Sequence, residues 1–129
     1  MDLRAPISSR PTIAVVEDDR AVLNALAFAL DTAGFSVRTF ASARAVWFAA
    51  DIDAAACLVV DQLLPDEPGL DLLARLRKRG VQAPAVIITT NPSLALRTKA
   101  AGLSVPIIEK PLLGDQLFAT IRKLIAAAT

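Results

Sequence analysis

With a single cysteine in 129 residues, the chain cannot form an internal disulfide. Cys57 lies in an apolar run, where burial as a small hydrophobe is the ordinary reading. Long hydrophobic stretches are missing too: the longest, Ala54 to Val60, is strand-sized and far short of the roughly 18 to 20 residues that span a bilayer. Neither sign of charge dominates, 14 basic against 13 acidic residues, and no basic block offers a footprint for nucleic acid. DNA binding by this chain is therefore not expected. The N-terminal segment also lacks the apolar core of a signal peptide, since Arg4, Pro6, Arg10 and Pro11 interrupt it, and the expected location is cytoplasmic.

What is present is enough for one core: 54% of the residues are hydrophobic, and the length suits a single domain. Residues 1–11 read as a flexible lead-in and residues 12–129 as the domain. TIAVVE over 12–17 is a short apolar, β-branched run typical of a strand buried on both faces. Helix formers follow from Arg20 to Ala33, with Gly34 as the stop. FSVRTF over 35–40 alternates in the manner of an outer strand, and Ser42 is placed to cap a helix reaching about Ala50.

Buried strands are expected again at Cys57 to Asp61, Pro84 to Thr89 and Val105 to Glu109. Helices are expected from Leu70 to Gly80, from Ser93 to Ala101 and from Leu112 to Ala127, the last with Leu113, Leu117, Ile121, Leu124 and Ile125 on one face. Strand and helix alternate five times. This cadence predicts an α/β fold, a five-stranded doubly wound parallel sheet of flavodoxin-like order 2-1-3-4-5 with helices on both faces.

Four polar insertions then stand out, each following an apolar run: Glu17-Asp18, Asp61, Thr89 and, after Val105 to Ile108, Lys110-Pro111. In a parallel sheet the carboxyl ends of the strands share one edge, where open α/β proteins bind ligands. A carboxylate can attack phosphorus and become an acyl phosphate if a cation offsets the accumulating charge. Asp18 and Asp61 would supply hard oxygen ligands suited to Mg²⁺, with Glu17 contributing through a bound water. Lys110 would set an ammonium, and Thr89 a hydroxyl, against the phosphoryl oxygens.

Taken singly, these residues have plainer explanations. Asp18 or Asp19 could merely cap a helix, Thr89 could be a strand residue, and Lys110-Pro111 could open a helix. Asp51-Ile52-Asp53 resembles the D-x-D of phosphatases, but the residues before it read as helical. An FMN-binding flavodoxin would share the fold, yet three acidic residues stand where its phosphate loop would be.

In their order, V-V-E-D, V-V-D-Q-L-L-P-D-E-P-G-L, I-I-T-T and E-K-P resemble the receiver domains of two-component response regulators, with proline four and glycine eight residues beyond Asp61. The resemblance spans roughly residues 12 to 127. It implies that Asp61 takes a phosphoryl group from a sensor histidine kinase or a histidine phosphotransfer protein. It further implies Mg²⁺ held by Glu17, Asp18, Asp61 and the backbone carbonyl of Leu63, and a cis peptide between Lys110 and Pro111. Enzymatic activity would be limited to slow hydrolysis of its own acyl phosphate.

One departure from the family is visible. Ile107 occupies the position, three before the lysine, where an aromatic switch residue is usual, and no aromatic residue occurs between Phe48 and Phe118. Output is therefore expected to be atypical, through an unknown downstream protein or a homodimer across the 93–125 face. A phosphorylation-independent interaction or dimerisation module on the same fold is the alternative. Two adjacent aromatics, Trp47 and Phe48, cannot both face the core from one helix, and Leu94 and Leu96 likewise point apart.

Overall fold

In a computed structural model, the described residues are 10–112 and 115–129, so most of the lead-in expected over 1–11, and Leu113, lie outside them. Five parallel strands form one sheet in the order β2-β1-β3-β4-β5. They are β1 (Thr12–Val16), β2 (Ser36–Phe40), β3 (Cys57–Asp61), β4 (Ala85–Thr89) and β5 (Ile107–Glu109). Between and after them run α1 (Arg20–Thr32), α2 (Ala43–Trp47), α3 (Gly69–Lys78), α4 (Leu94–Gly102) and α5 (Gln116–Ala128). The expected topology is the observed one.

Strand alternation divides the core into two layers, because successive side chains point to opposite sheet faces. Ala14, Val16, Leu58, Val60 and Ile87 face α2, α3 and α4, packing with Val46, Leu72, Leu73, Leu76 and Ala100. Ile13, Val15, Val59, Val86 and Ile88 face α1 and α5, packing with Leu26, Leu30, Leu117 and Ile121. β3 and β4 are buried at all five positions, which is why they read as continuous apolar runs rather than alternating ones. Edge strand β2 alternates because only part of it is covered.

Three boundaries moved inward from their sequence expectation. α2 ends at Trp47, and a single 3₁₀ turn, Ile52–Ala54, follows that sequence reading had missed; it buries Ile52 beneath the sheet. β5 begins at Ile107 rather than Val105, since the Val105 amide donates to Ala100 O at 2.9 Å and closes α4 after Ser104 turns at φ 56°. α5 begins at Gln116 rather than Leu112.

Trp47 packs partly against the core, whereas Phe48 is 69% exposed. Two guanidinium groups lie over the Trp47 ring, Arg75 at 4.2 Å and Arg79 at 4.1 Å from its centroid. Leu96 packs inward and Leu94 is exposed. No helix among the described residues is long and apolar enough to cross a membrane.

Candidate functional site

The carboxyl ends of β1, β3 and β5 bring four of the expected side chains, Glu17, Asp18, Asp61 and Lys110, to one place. Glu17 follows β1 directly and is fully buried; its amide donates to Phe40 O at 3.0 Å, so the chain stays extended past the last strand residue. Asp18 is exposed, and Asp19 turns aside to cap α1, accepting from the amides of Ala21 and Val22 at 3.0 and 3.2 Å. Asp61 closes β3 and is 3% exposed. Carboxylate oxygens of Glu17, Asp18 and Asp61 lie within 4.8 Å of one another.

Lys110 reaches into this cluster from the end of β5. Its Nζ donates to Glu17 Oε1 at 3.1 Å and to Asp61 Oδ2 at 3.0 Å. The other acceptor oxygen is also engaged, Leu63 N donating to Asp61 Oδ1 at 3.0 Å. Lys110 and Pro111 are joined by a cis peptide. The Lys110 amide donates to Thr89 O at 2.8 Å, tying the lysine to the end of β4. Thr89 itself is buried and stands one residue past Ile88, the neighbour of Asp61 across β3 and β4. Thr90 is exposed, and the Thr89 hydroxyl donates to Thr90 O at 3.5 Å.

Electrostatics mark the cluster as short of positive charge. Burial pushes the Glu17 carboxyl up to about 7, the hydrogen bond with Asp61 pushes the same way, and Lys110 pulls back. Burial disfavours the Lys110 ammonium, but its hydrogen bonds to Asp61 and Glu17 prevail and raise its pKa. Glu17 Oε2 is buried without a hydrogen-bond partner. A buried carboxyl oxygen left unpaired beside two further acidic side chains is the setting in which a hard cation binds, and the oxygen-only donor set suits Mg²⁺.

The loop from β3 to α3 wraps the site. Gly69 N donates to Gln62 O at 3.0 Å, Leu70 N to the Gln62 side chain at 2.9 Å, and Leu63 and Pro68 form an antiparallel bridge. Gly69 is required by close approach: a Cβ there would lie 2.2 Å from Asp61 O and 2.9 Å from a Val60 methyl. Leu63 turns its side chain outward, 71% exposed. Asp66 was missed in the sequence. It accepts from the amides of Ala43 and Arg44, a link spanning 22 and 23 residues that no local pattern signals.

Beside Lys110 an apolar cleft of about 450 Å³ opens between α1 and the start of α5, lined by Val22, Ala25, Leu26, Pro111 and Phe118 among others.

Fold and site together define a parallel α/β domain with a lysine-bridged acidic cluster at its carboxyl edge. The chain belongs to the family of response regulator receiver domains, whose profile matches residues 13–122. It is 33% identical over 123 residues to the transcriptional regulatory protein FixJ of Bradyrhizobium diazoefficiens, covering 95% of this chain and 60% of that protein. To the response regulator protein TodT of Pseudomonas putida it is 32% identical over 118 residues, covering 90% of this chain and 52% of TodT. The chain thus spans about half the length of the curated relatives it matches. In fold it is similar to the receiver domain of the Francisella response regulator 1452, with TM-score 0.84 at 19% identity over 92% of this chain and 99% of that one. The family is that of two-component signalling.

Proposed function

We propose that this domain accepts a phosphoryl group on Asp61 from a phosphohistidine of a sensor kinase or histidine phosphotransfer protein. One observation carries the reading: Lys110 Nζ bridges Asp61 and Glu17 while Glu17 Oε2 remains buried and unpaired. This supports a pocket built for a cation and a further anionic group.

Glu17, Asp18, Asp61 and the Leu63 carbonyl would hold Mg²⁺. Once bound, it would offset charge between the attacking carboxylate and the phosphoryl oxygens. A carboxylate oxygen of Asp61 forms the new O–P bond as the P–N bond to the donor imidazole breaks, and the imidazole leaves with the bonding pair. Lys110 would shift from carboxylate to phosphoryl oxygen, and Thr89 would donate its hydroxyl to another. The apolar cleft beside Lys110 offers a surface on which the donor could dock next to Asp61. Such a domain signals rather than catalyses, apart from slow hydrolysis of its own acyl phosphate. A cytoplasmic location belongs to the same proposal.

Output would change partner binding through the surface of α4, β5 and α5, within the 93–125 face also proposed for a homodimer. Ile107 is only partly buried there, and Leu94 is 81% exposed. Neither supports the usual aromatic rotamer switch, so movement of the β4 to α4 loop or direct docking would carry the signal.

Incubation with Mg²⁺ and acetyl phosphate, followed by intact-mass measurement, tests the assignment. A single phosphoryl adduct is expected on the wild type and none on Asp61→Asn. An unmodified wild type, or an adduct persisting in Asp61→Asn, would defeat it.

A further inference from the structure

α2 is five residues long, and the first amides of any helix lack partners within it. Ser42 Oγ takes one, from Ala45 N at 3.1 Å. The amides of Ala43 and Arg44 are taken by a single carboxylate from elsewhere, Asp66, whose Oδ1 and Oδ2 accept at 3.0 and 2.8 Å. Asp66 lies at the tip of the loop between β3 and α3. Its neighbour Glu67 forms an ion pair with Arg75 on α3, so the tip is fastened to two helices at once.

The stem of that loop carries the amide that orients Asp61. Leu63 N–H fixes Oδ1 and Lys110 fixes Oδ2, and these two contacts define the plane of the carboxylate. Leu63 cannot anchor itself, because its side chain is 71% exposed. Leu64 is partly packed against the core and Gln62 is bonded to Ile88, Gly69 and Leu70, while on the far side of Leu63 the restraint comes from the Leu63 to Pro68 bridge and the fastened tip.

We propose that Asp66 is a positioning residue for Asp61, acting through the loop and the Leu63 amide. The proposal rests on the reading of Asp61 as phosphoryl acceptor. A carboxylate whose plane is set by two donors presents one lone-pair direction to an incoming phosphorus; a loosened Leu63 leaves only the lysine contact and a broader spread of orientations.

Amide hydrogen exchange and adduct formation, compared across wild type, Asp66→Ala, Asp66→Asn and Ser42→Ala, test this. Asp66→Ala should speed Leu63 amide exchange and slow adduct formation roughly tenfold at saturating acetyl phosphate, with half-saturation nearly unchanged. Asp66→Asn, which keeps one acceptor oxygen, should fall between. Ser42→Ala removes the other cap of α2 without touching the loop, and should leave both the rate and Leu63 exchange near wild type. Equal slowing in Ser42→Ala at matched thermal stability would reduce Asp66 to a structural cap and overturn the proposal. Unchanged Leu63 exchange in Asp66→Ala would overturn it as well. A wild type that takes no phosphoryl group defeats the acceptor reading instead, and the exchange measurement on metal-free protein still decides for or against Asp66.

Discussion

Gly69→Ala isolates the tightest contact at the site in a single methyl group. The added Cβ would sit 2.2 Å from Asp61 O, 2.9 Å from Val60 Cγ1 and 3.0 Å from Asp61 C, whereas ordinary contacts begin near 3.4 Å. Two of these atoms are backbone of a strand buried at every position, and the third is a core methyl. None can swing away as a long side chain would. Either the start of α3 or the end of β3 must therefore retreat by roughly an ångström, and overpacking of this kind costs about 1–3 kcal/mol. Alanine's lower entropy in the unfolded chain returns only about 0.4–1 kcal/mol of opposite sign. Where the end of β3 yields, Asp61 moves with it, and a shift of that size predicts on the order of 100-fold slower adduct formation. Urea unfolding gives the first quantity and timed intact-mass measurement with acetyl phosphate the second. A variant as stable as wild type that is phosphorylated at the wild-type rate would refute the close-approach argument.

Other outcomes follow from the same geometry. Lys110→Met removes the ammonium shared by Glu17 and Asp61, and should cost about 2–3 kcal/mol at pH 8 but less at pH 5, where Glu17 can protonate; urea midpoints at both pH values check this. For metal-free protein, Glu17 at about 7 in the fold against its ordinary 4.5 means the folded chain holds a proton that the unfolded chain gives up. Stability should therefore fall as pH rises between those values, and Glu17→Gln should flatten the slope; a wild-type curve that rises across this window contradicts the assignment. Mg²⁺ should raise the melting temperature of wild type more at pH 8 than at pH 5.5, and Asp18→Ala should weaken that gain. Leu63→Asn, which places a polar, water-binding side chain two residues past the acceptor, should shorten the acyl-phosphate lifetime, read by decay of the adduct mass.

The strands were legible because burial on both faces leaves a plain mark: the runs ending at Asp61 and Thr89 have no polar residue before that last position. The convergence of Glu17, Asp61 and Lys110 was legible for the same reason, since parallel order forces strand ends together. Elements whose shape depends on distant partners were less visible. Val105 looked like strand but closes α4, and the turn holding Ile52 has too few residues for any period to emerge. Asp66 sits among turn-forming residues and could have been any solvent-facing acid. Its function depends on amides that approach only after β3 has crossed the sheet. Ile107 could be recognised as a departure, but what replaces an aromatic there depends on surfaces outside this chain.

The arrangement around Trp47 gives the molecule an intrinsic optical gauge. It is the only tryptophan, so its emission is free of overlap from any other indole. One of its two guanidinium neighbours, Arg75, is also the ion-pair partner of Glu67 in the loop beside Asp61. A rearrangement of that loop that pulls on Glu67 would change the distance of Arg75 from the ring while Arg79 keeps its own. Were occupancy of the acidic pocket to move the loop, it would be readable in unlabelled protein, in real time, from the brightness and wavelength of a single side chain.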